Sequence, residues 1–332
     1  MNTVELKKLP TEDHCLNRNF SIEVVRVTEA AAIESYPWIG KGNEKAADQA
    51  AVNAMRKALN KLDINGTVVI GEGERDEAPM LYIGEKVGSG KGPEIDIALD
   101  PLEGTTICAH GANNSLAVLA IAEKGGLLHA PDVYMQKIAV GANLPEGIIN
   151  LKKSPSQNLQ NIADAKNVKI ADLKVIILNR PRHQDIIDEI RKSGACIQLI
   201  TDGDIAAVMA TSMDNGGADM YIGTGGAPEG VLAAAALRAI GGQIQGKLLF
   251  RNDDEKNRAF KIGITDLDRI YHINDLAKGD VIFAATGVTD GSMLKGVKKL
   301  NNGFYTHSVV MRSKTSTVRF VEAYHNLNKK NF

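Results

Sequence analysis

From residue 175 to residue 240 the chain repeats one order three times: a short apolar run, a polar loop, then a helical stretch. Residues 175–178, 197–200 and 220–222 are too short for helices and rich in β-branched side chains, so they read as strands. Gln184–Ser193 places Ile186, Ile187 and Ile190 on one helical face and meets Gly194, a stop signal. A second helix opens at Ile205, after the loop Thr201-Asp202-Gly203-Asp204. A third, rich in Ala, runs to Ile240 after the loop Gly223-Thr224-Gly225-Gly226-Ala227-Pro228-Glu229. This alternation specifies an α/β layer and places ligand loops at strand ends.

The first half carries more acid at its joints. Asn19 or Ser21 caps a helix in which Ile22, Val25, Glu29, Ala32, Ile33 and Tyr36 recur at helical spacing. Asn43 caps a second, with the stripe Ala47, Ala51, Met55, Ala58 and Leu62. Asp48 lies beside that stripe, where a carboxylate also offsets the helix dipole. Asn65-Gly66 reads as a turn and residues 67–70 as a buried strand. Gly71-Glu72-Gly73-Glu74-Arg75-Asp76-Glu77 follows, an acidic loop whose glycines let the backbone pack closely. Residues 82–87, 116–122 and 133–140 read as strands, the last with Val133, Met135 and Lys137 on one face.

The densest chemistry is in Ile95-Asp96-Ile97-Ala98-Leu99-Asp100-Pro101-Leu102-Glu103-Gly104-Thr105. Ile95, Ile97 and Leu99 alternate onto one face of a strand. Pro101 has no N–H for a ladder and is expected to end it. Asp100 and Glu103 flank the break, Gly104 allows a sharp turn, and Thr105 adds a hydroxyl. Such oxygen donors suit Mg²⁺ or Mn²⁺ rather than zinc, although a plain acidic turn has the same spacing. Acids thus stand at four places: Asp48, Glu72 with Glu74, Asp100 with Glu103, and Glu229. If they converge, the cage needs cations, because like charges at short range repel. Residues 141–174 turn polar, with one helix over 158–165, and mark a boundary between halves of 1–170 and 171–332. Residues 281–285 and 308–324 add strands.

The formal net charge of −1 gives no electrostatic case for nucleic acid or an anionic membrane. Cys15, Cys108 and Cys196 are far apart and odd in number, which reads as reduced thiols. Histidine is sparse, which argues against zinc. No apolar run reaches membrane-spanning length, and Glu5, Glu12 and Asp13 do not make a secretory leader, so a cytoplasmic protein is expected. No Ser-His-Asp set or cysteine nucleophile is evident.

Asp100-Pro101-Leu102-Glu103-Gly104-Thr105 resembles the Asp-Pro-x-Asp/Glu-Gly-Thr signature of the metal-dependent phosphatases related to inositol monophosphatase. With Val69-Ile70-Gly71-Glu72-Gly73-Glu74, Ala130-Pro131-Asp132-Val133-Tyr134-Met135 and Gly225-Gly226-Ala227-Pro228-Glu229-Gly230, in that order, the chain resembles the class II (GlpX-type) fructose-1,6-bisphosphatases from about Ser21 onward. The resemblance implies a five-layer α-β-α-β-α sugar-phosphatase fold; periodicity alone supports two α/β halves. It implies hydrolysis of the 1-phosphate of fructose 1,6-bisphosphate with Mn²⁺ or Mg²⁺ held by Asp48, Glu72, Asp100, Glu103 and Glu229. Thr105 would then hold the attacking water and pass its proton towards Asp48 or Glu72. Glu103, Gly104 and Thr105 would line the scissile phosphate, with Tyr134, Arg180, Pro181, Arg182, Asp202, Gly203, Asp204 and Gly226 taking the sugar and the distal phosphate. Arg180 and Arg182 offer forked donors, unless they are ordinary surface charge. The family often has lysine four residues before the first ligand; here Glu44 stands there and the lysine is Lys45. Sedoheptulose 1,7-bisphosphatase, inositol monophosphatase and a non-catalytic sugar-phosphate regulator are the competing readings. A homo-oligomer, dimer or tetramer, is expected.

Overall fold

The structure is a computed structural model that describes residues 16–73, 80–212, 217–326 and 329. Helices α1 (Phe20–Ser35) and α2 (Glu44–Leu59) come first. Strands β1 (Asn65–Ile70), β2 (Lys86–Val87) and β3 (Glu94–Glu103) lead into α3 (Thr105–His110), followed by β4 (Leu116–Glu123) and β5 (Tyr134–Val140). Helix α4 (Pro155–Lys166) precedes the alternating run of β6 (Lys174–Leu178), α5 (Gln184–Ser193), β7 (Cys196–Ile200), α6 (Asp204–Ala210), β8 (Met220–Gly226) and α7 (Ala227–Ile240). Then come β9 (Gln243–Leu249), α8 (Asp253–Lys261), β10 (Ile270–His272), α9 (Ile273–Leu276), β11 (Val281–Gly287), β12 (Lys298–Leu300), β13 (Gly303–Arg312) and β14 (Thr317–Asn326).

Among the described residues the strands form two mixed sheets. One has the order β12-β13-β11-β4-β3-β1-β2, with β14 paired to β13; the other has the order β10-β9-β5-β8-β6-β7. Strand alternation sorts the core into three. Ile95, Ile97, Leu99, Leu119 and Ile121 face α1 and α2, packing on Val24, Val27, Ala51 and Met55. Ala98, Val118 and Ala120 face the other way, onto α7, which also meets Met135, Tyr221 and Ile244 of the second sheet. Ile138, Ile177 and Ile222 on that sheet's outer face pack on Leu159 and Ile162 of α4 and Ile187 and Ile190 of α5. The layers are therefore α-β-α-β-α. Helix α7 is buried along nearly its whole surface, and its alanines let two sheets approach one helix. Helix α1 is likewise buried beyond a single stripe, while Ile22 stays exposed.

The sheets draw from both sides of residue 170. Strand β5 pairs with β8 and β9, and β11 pairs with β4.

Four local expectations are corrected. Pro101 does not end β3; the strand continues to Glu103, and the register against β4 shifts between Asp100 and Glu103. A bulge tolerates the missing N–H. Asn65-Gly66 is the start of β1, not a turn, and a Cβ at Gly66 would stand 2.5 Å from Ile97 Cδ1 and 3.1 Å from the Val87 carbonyl oxygen. Of residues 82–87 only Lys86 and Val87 form a strand; Gly84, at φ +92°, and Glu85 still bond Val68 of β1 through their backbones. Gly223–Gly226 lies within β8, paired along β5, rather than in a loop; glycines carry no side-chain pattern that announces a strand.

Candidate active site

Strands β1 and β3 are parallel neighbours, so their carboxyl ends open at the same edge. Glu72 follows β1, while Asp100 and Glu103 end β3. Asn43 caps α2 by accepting from Ala46 N at 3.1 Å, which sets Asp48 one turn inside that helix. From the other sheet come Asp202, after β7, and Glu229, the third residue of α7. These six acids line one cleft of about 340 Å³, together with Gly104, Thr105 and Asp132. Gly104 takes φ +75° and turns the chain so that Thr105 opens α3. Glu103 Oε1 accepts from Ile205 N at 3.1 Å, tying the first sheet's acid to the start of α6. Gly203, at φ +91°, turns Asp202 into the cleft, and its N–H donates to Asp202 Oδ1 at 3.0 Å.

The acids oppose one another's ionisation. Burial, then Asp100 and Asp48, pushes Glu72 up to about 8. Burial raises Asp100 to about 6, with Asp48 and Asp202 adding to it, although bonds from Glu103 and Leu102 N hold it down. Glu103 is well above the carboxylate range, from burial first and then Asp100 and Glu229. Glu229 rises to about 7 through burial, partly offset by Lys137. Burial raises Asp48 and Asp202 as well. Among the described residues no three of these acids close around a single point as an ion's ligands would. The set nonetheless fits a hard divalent cation. Every donor is oxygen, their mutual repulsion is what a cation relieves, and Glu229 Oε2 is buried without a hydrogen-bond partner.

Other expected residues lie elsewhere. Asp204 is buried under the cleft, not in its wall: Lys137 Nζ, itself fully buried, donates to Asp204 Oδ2 at 2.5 Å and to the Gly226 carbonyl at 2.9 Å. The glycines of β8 make that packing feasible. A Cβ on Gly225 would stand 1.9 Å from Asp204 Oδ2, and one on Gly226 1.8 Å from Glu229 Oε2. Tyr134, Arg180, Pro181, Arg182 and Gly226 are not among the residues lining the acid cleft. Arg180 is close enough to Asp202 and His183 to bear on the titration of both. Arg182 donates Nε and Nη2 to the Thr224 carbonyl at 3.2 and 2.7 Å, and its guanidinium lies 4.9 Å from the Tyr134 ring centre. His183 binds the Leu178 carbonyl and accepts from Thr224 N, pinning that loop to β8. Glu44 is exposed at the start of α2 and adds to the field that raises Asp202; Lys45 is exposed. Glu74 lies outside the described residues.

Sequence reasoning missed Asp132, Lys137 and Arg251 as parts of this region. Lys137 left a trace, a lysine on the same strand face as Val133 and Met135. Asp132 lies in the segment 130–135, whose pattern gives it no role. Arg251 had no signal, because β9 was not foreseen.

The family model described as "Bacterial fructose-1,6-bisphosphatase, glpX-encoded" matches residues 18–325. The chain belongs to this family. It is a fructose-1,6-bisphosphatase, a phosphoric monoester hydrolase of carbohydrate metabolism in a metal-dependent family. A protein of Synechococcus sp. (strain JA-3-3Ab) named "D-fructose 1,6-bisphosphatase class 2/sedoheptulose 1,7-bisphosphatase" is 45% identical over 335 residues, covering 93% of this chain and 96% of the relative. One of the same name from Trichodesmium erythraeum (strain IMS101) is 44% identical over 329 residues, covering 92% and 95%. Among solved structures, an extragenic suppressor from Pyrococcus furiosus is 12% identical with a TM-score of 0.31, covering 67% of this chain and 71% of that one. At that score the likeness bears on nothing in the fold described above. Among the described residues no helix is long and apolar enough to cross a membrane.

Proposed function

We propose that this enzyme removes the 1-phosphate of fructose 1,6-bisphosphate at the acid cleft, with Asp48, Glu72, Asp100, Glu103 and Glu229 holding Mn²⁺ or Mg²⁺. The observation that carries this is the meeting of those five acids and Thr105 in one cleft. The bound cation would supply charge neutralisation and an acidified water. Thr105 Oγ1 would orient that water, and Asp48 or Glu72 would take its proton. Glu103, Gly104 and Thr105 surround the transferring phosphate, Asp202 and Gly203 face the sugar hydroxyls, and Tyr134, Arg180 and Arg182 hold the distal phosphate. Asp204 acts from behind, through Lys137. The relatives' names extend the reading to sedoheptulose 1,7-bisphosphate. Phosphate release measured with Mn²⁺ and with Mg²⁺ on fructose 1,6-bisphosphate, sedoheptulose 1,7-bisphosphate, fructose 1-phosphate and inositol 1-phosphate tests it. Equal efficiency on monophosphates and bisphosphates would sink it.

A cytoplasmic homo-oligomer is the setting we propose. The free thiols Cys108 and Cys196 support a reducing compartment. Strand β14 supports self-association: it pairs with β13 over ten residues and exposes Val318, Phe320 and Tyr324. Size-exclusion chromatography with light scattering distinguishes monomer, dimer and tetramer.

A further inference from the structure

Tyr134 carries two guanidiniums, not one. Arg182 stands 4.9 Å from its ring centre and Arg251 stands 5.0 Å from it, so both cations lie against the same ring. Strand β5, which Tyr134 opens, lies between β8 and β9. Arg182 is tied to Thr224 of β8, while Arg251 follows β9, so the arginines approach the ring from opposite flanks.

Each arginine has its Nε/Nη2 edge committed to the protein. Arg182 gives that edge to the Thr224 carbonyl. Arg251 gives it to Glu255 Oε1, at 2.6 Å from Nε and 2.5 Å from Nη2, while its backbone N–H donates to Oε2 at 2.7 Å. Glu255 is 1% exposed, whereas Arg251 is 59% exposed. A buried carboxylate with three bonds to one residue fixes an arginine whose head remains in solvent. A single exposed ion pair gains little and needs no such fixture. Two like charges held at one ring favour an anion that both can reach. The forked donor expected of Arg182 is therefore not fully open to a phosphate, and neither is that of Arg251.

We propose that Arg251, held by Glu255, is the second arm of the distal-phosphate clamp on Tyr134, with the Nη1 groups of both arginines directed at one phosphoryl dianion. Glu255 is a positioning residue: it orders Arg251 before substrate arrives, so less side-chain freedom is lost on binding. The proposal rests on the reading of the cleft as a sugar-bisphosphate site. It sets specificity and not bond cleavage, because the contact is remote from the bond broken.

The test is steady-state kinetics of wild type, Arg251→Ala, Arg251→Lys, Glu255→Gln and Arg182→Ala on fructose 1,6-bisphosphate and fructose 1-phosphate. The readout is the ratio of the two KM values, which a general folding defect leaves alone, with a thermal melt beside it. Losing a charge-assisted bond should raise KM for the bisphosphate by about 10- to 100-fold in Arg251→Ala. Arg251→Lys recovers part of that loss, and Glu255→Gln shifts the ratio the same way by less. An Arg251→Ala ratio within twofold of wild type overturns the proposal. If Arg182→Ala removes the preference while Arg251→Ala keeps it, only Arg251 falls. If wild type shows no preference for the bisphosphate, the bisphosphate reading of the cleft fails and takes the clamp with it.

Discussion

The acid cleft and the arginine rim beside it are built on opposite principles. The cleft gathers acids that burial and mutual repulsion push towards neutrality. Strand ends, bulges and turns hold them there. The rim gathers cations around one aromatic ring, mostly exposed, each tied to an acceptor of its own. The cleft suits bond cleavage, where charge must be concentrated and water ordered. The rim suits recognition, where a solvated dianion is exchanged for fixed donors. The two regions should therefore fail differently when altered.

The largest failure is expected in the cleft. Asp100→Ala or Glu229→Ala should abolish phosphate release while leaving the circular dichroism spectrum intact, and excess chelator should do the same to wild type. Full activity in chelator breaks the comparison outright. Thr105→Ala should lower kcat by about 10²- to 10⁴-fold with little change in KM, as expected for loss of a positioned proton-transfer group. Thr105→Ser, which keeps the hydroxyl, should lose far less. An alanine variant as active as wild type would reduce Thr105 to a helix start.

At the rim the loss should fall on KM. Arg182→Ala should raise KM for fructose 1,6-bisphosphate by about 10- to 100-fold with kcat much less affected. A kcat loss as large as that of Thr105→Ala would erase the distinction between cleft and rim.

The smallest effect is on stability. Glu72, Asp100 and Glu229 bind protons more tightly in the folded chain, at about 8, 6 and 7, than the unfolded chain does near 4. The native state therefore holds extra protons between those values, and stability falls as pH rises from about 4 to 8. In chelator the melting temperature should drop between pH 5 and pH 8. Added Mn²⁺ should raise it by more at pH 8 than at pH 5. A metal-free melt independent of pH would mean the acids do not sense one another.

The cleft was far more legible in the sequence than the rim, for a physical reason. Asp100, Glu103, Gly104 and Thr105 are sequence neighbours, so their spacing is visible, and Asp48 and Glu72 sit at helix and strand ends that caps and glycines announce. The convergence of first-half and second-half acids was legible only through resemblance. At the rim, Tyr134, Arg182 and Arg251 meet through strand pairing, which leaves no local mark. The fate of Asp204 was hidden as well. Its partner is Lys137 of β5, far away in sequence, and only the packing of the start of α6 against the second sheet brings them together. Pro101 misled because a bulge and a strand end look alike until the partner strand is known.

The pairing of β4 with β11 has a consequence for synthesis. Residues 116–122 are a continuous buried run, and β3 covers only one of the strand's edges. Its other partner, Val281–Gly287, leaves the ribosome more than 150 residues later. Throughout that interval the nascent chain carries an open apolar edge, and the layer bearing Asp100 cannot close. Slow assembly of these long-range strands is the expected result. Chains stalled before residue 281 should be cut by protease within the first sheet, while chains released at full length resist it.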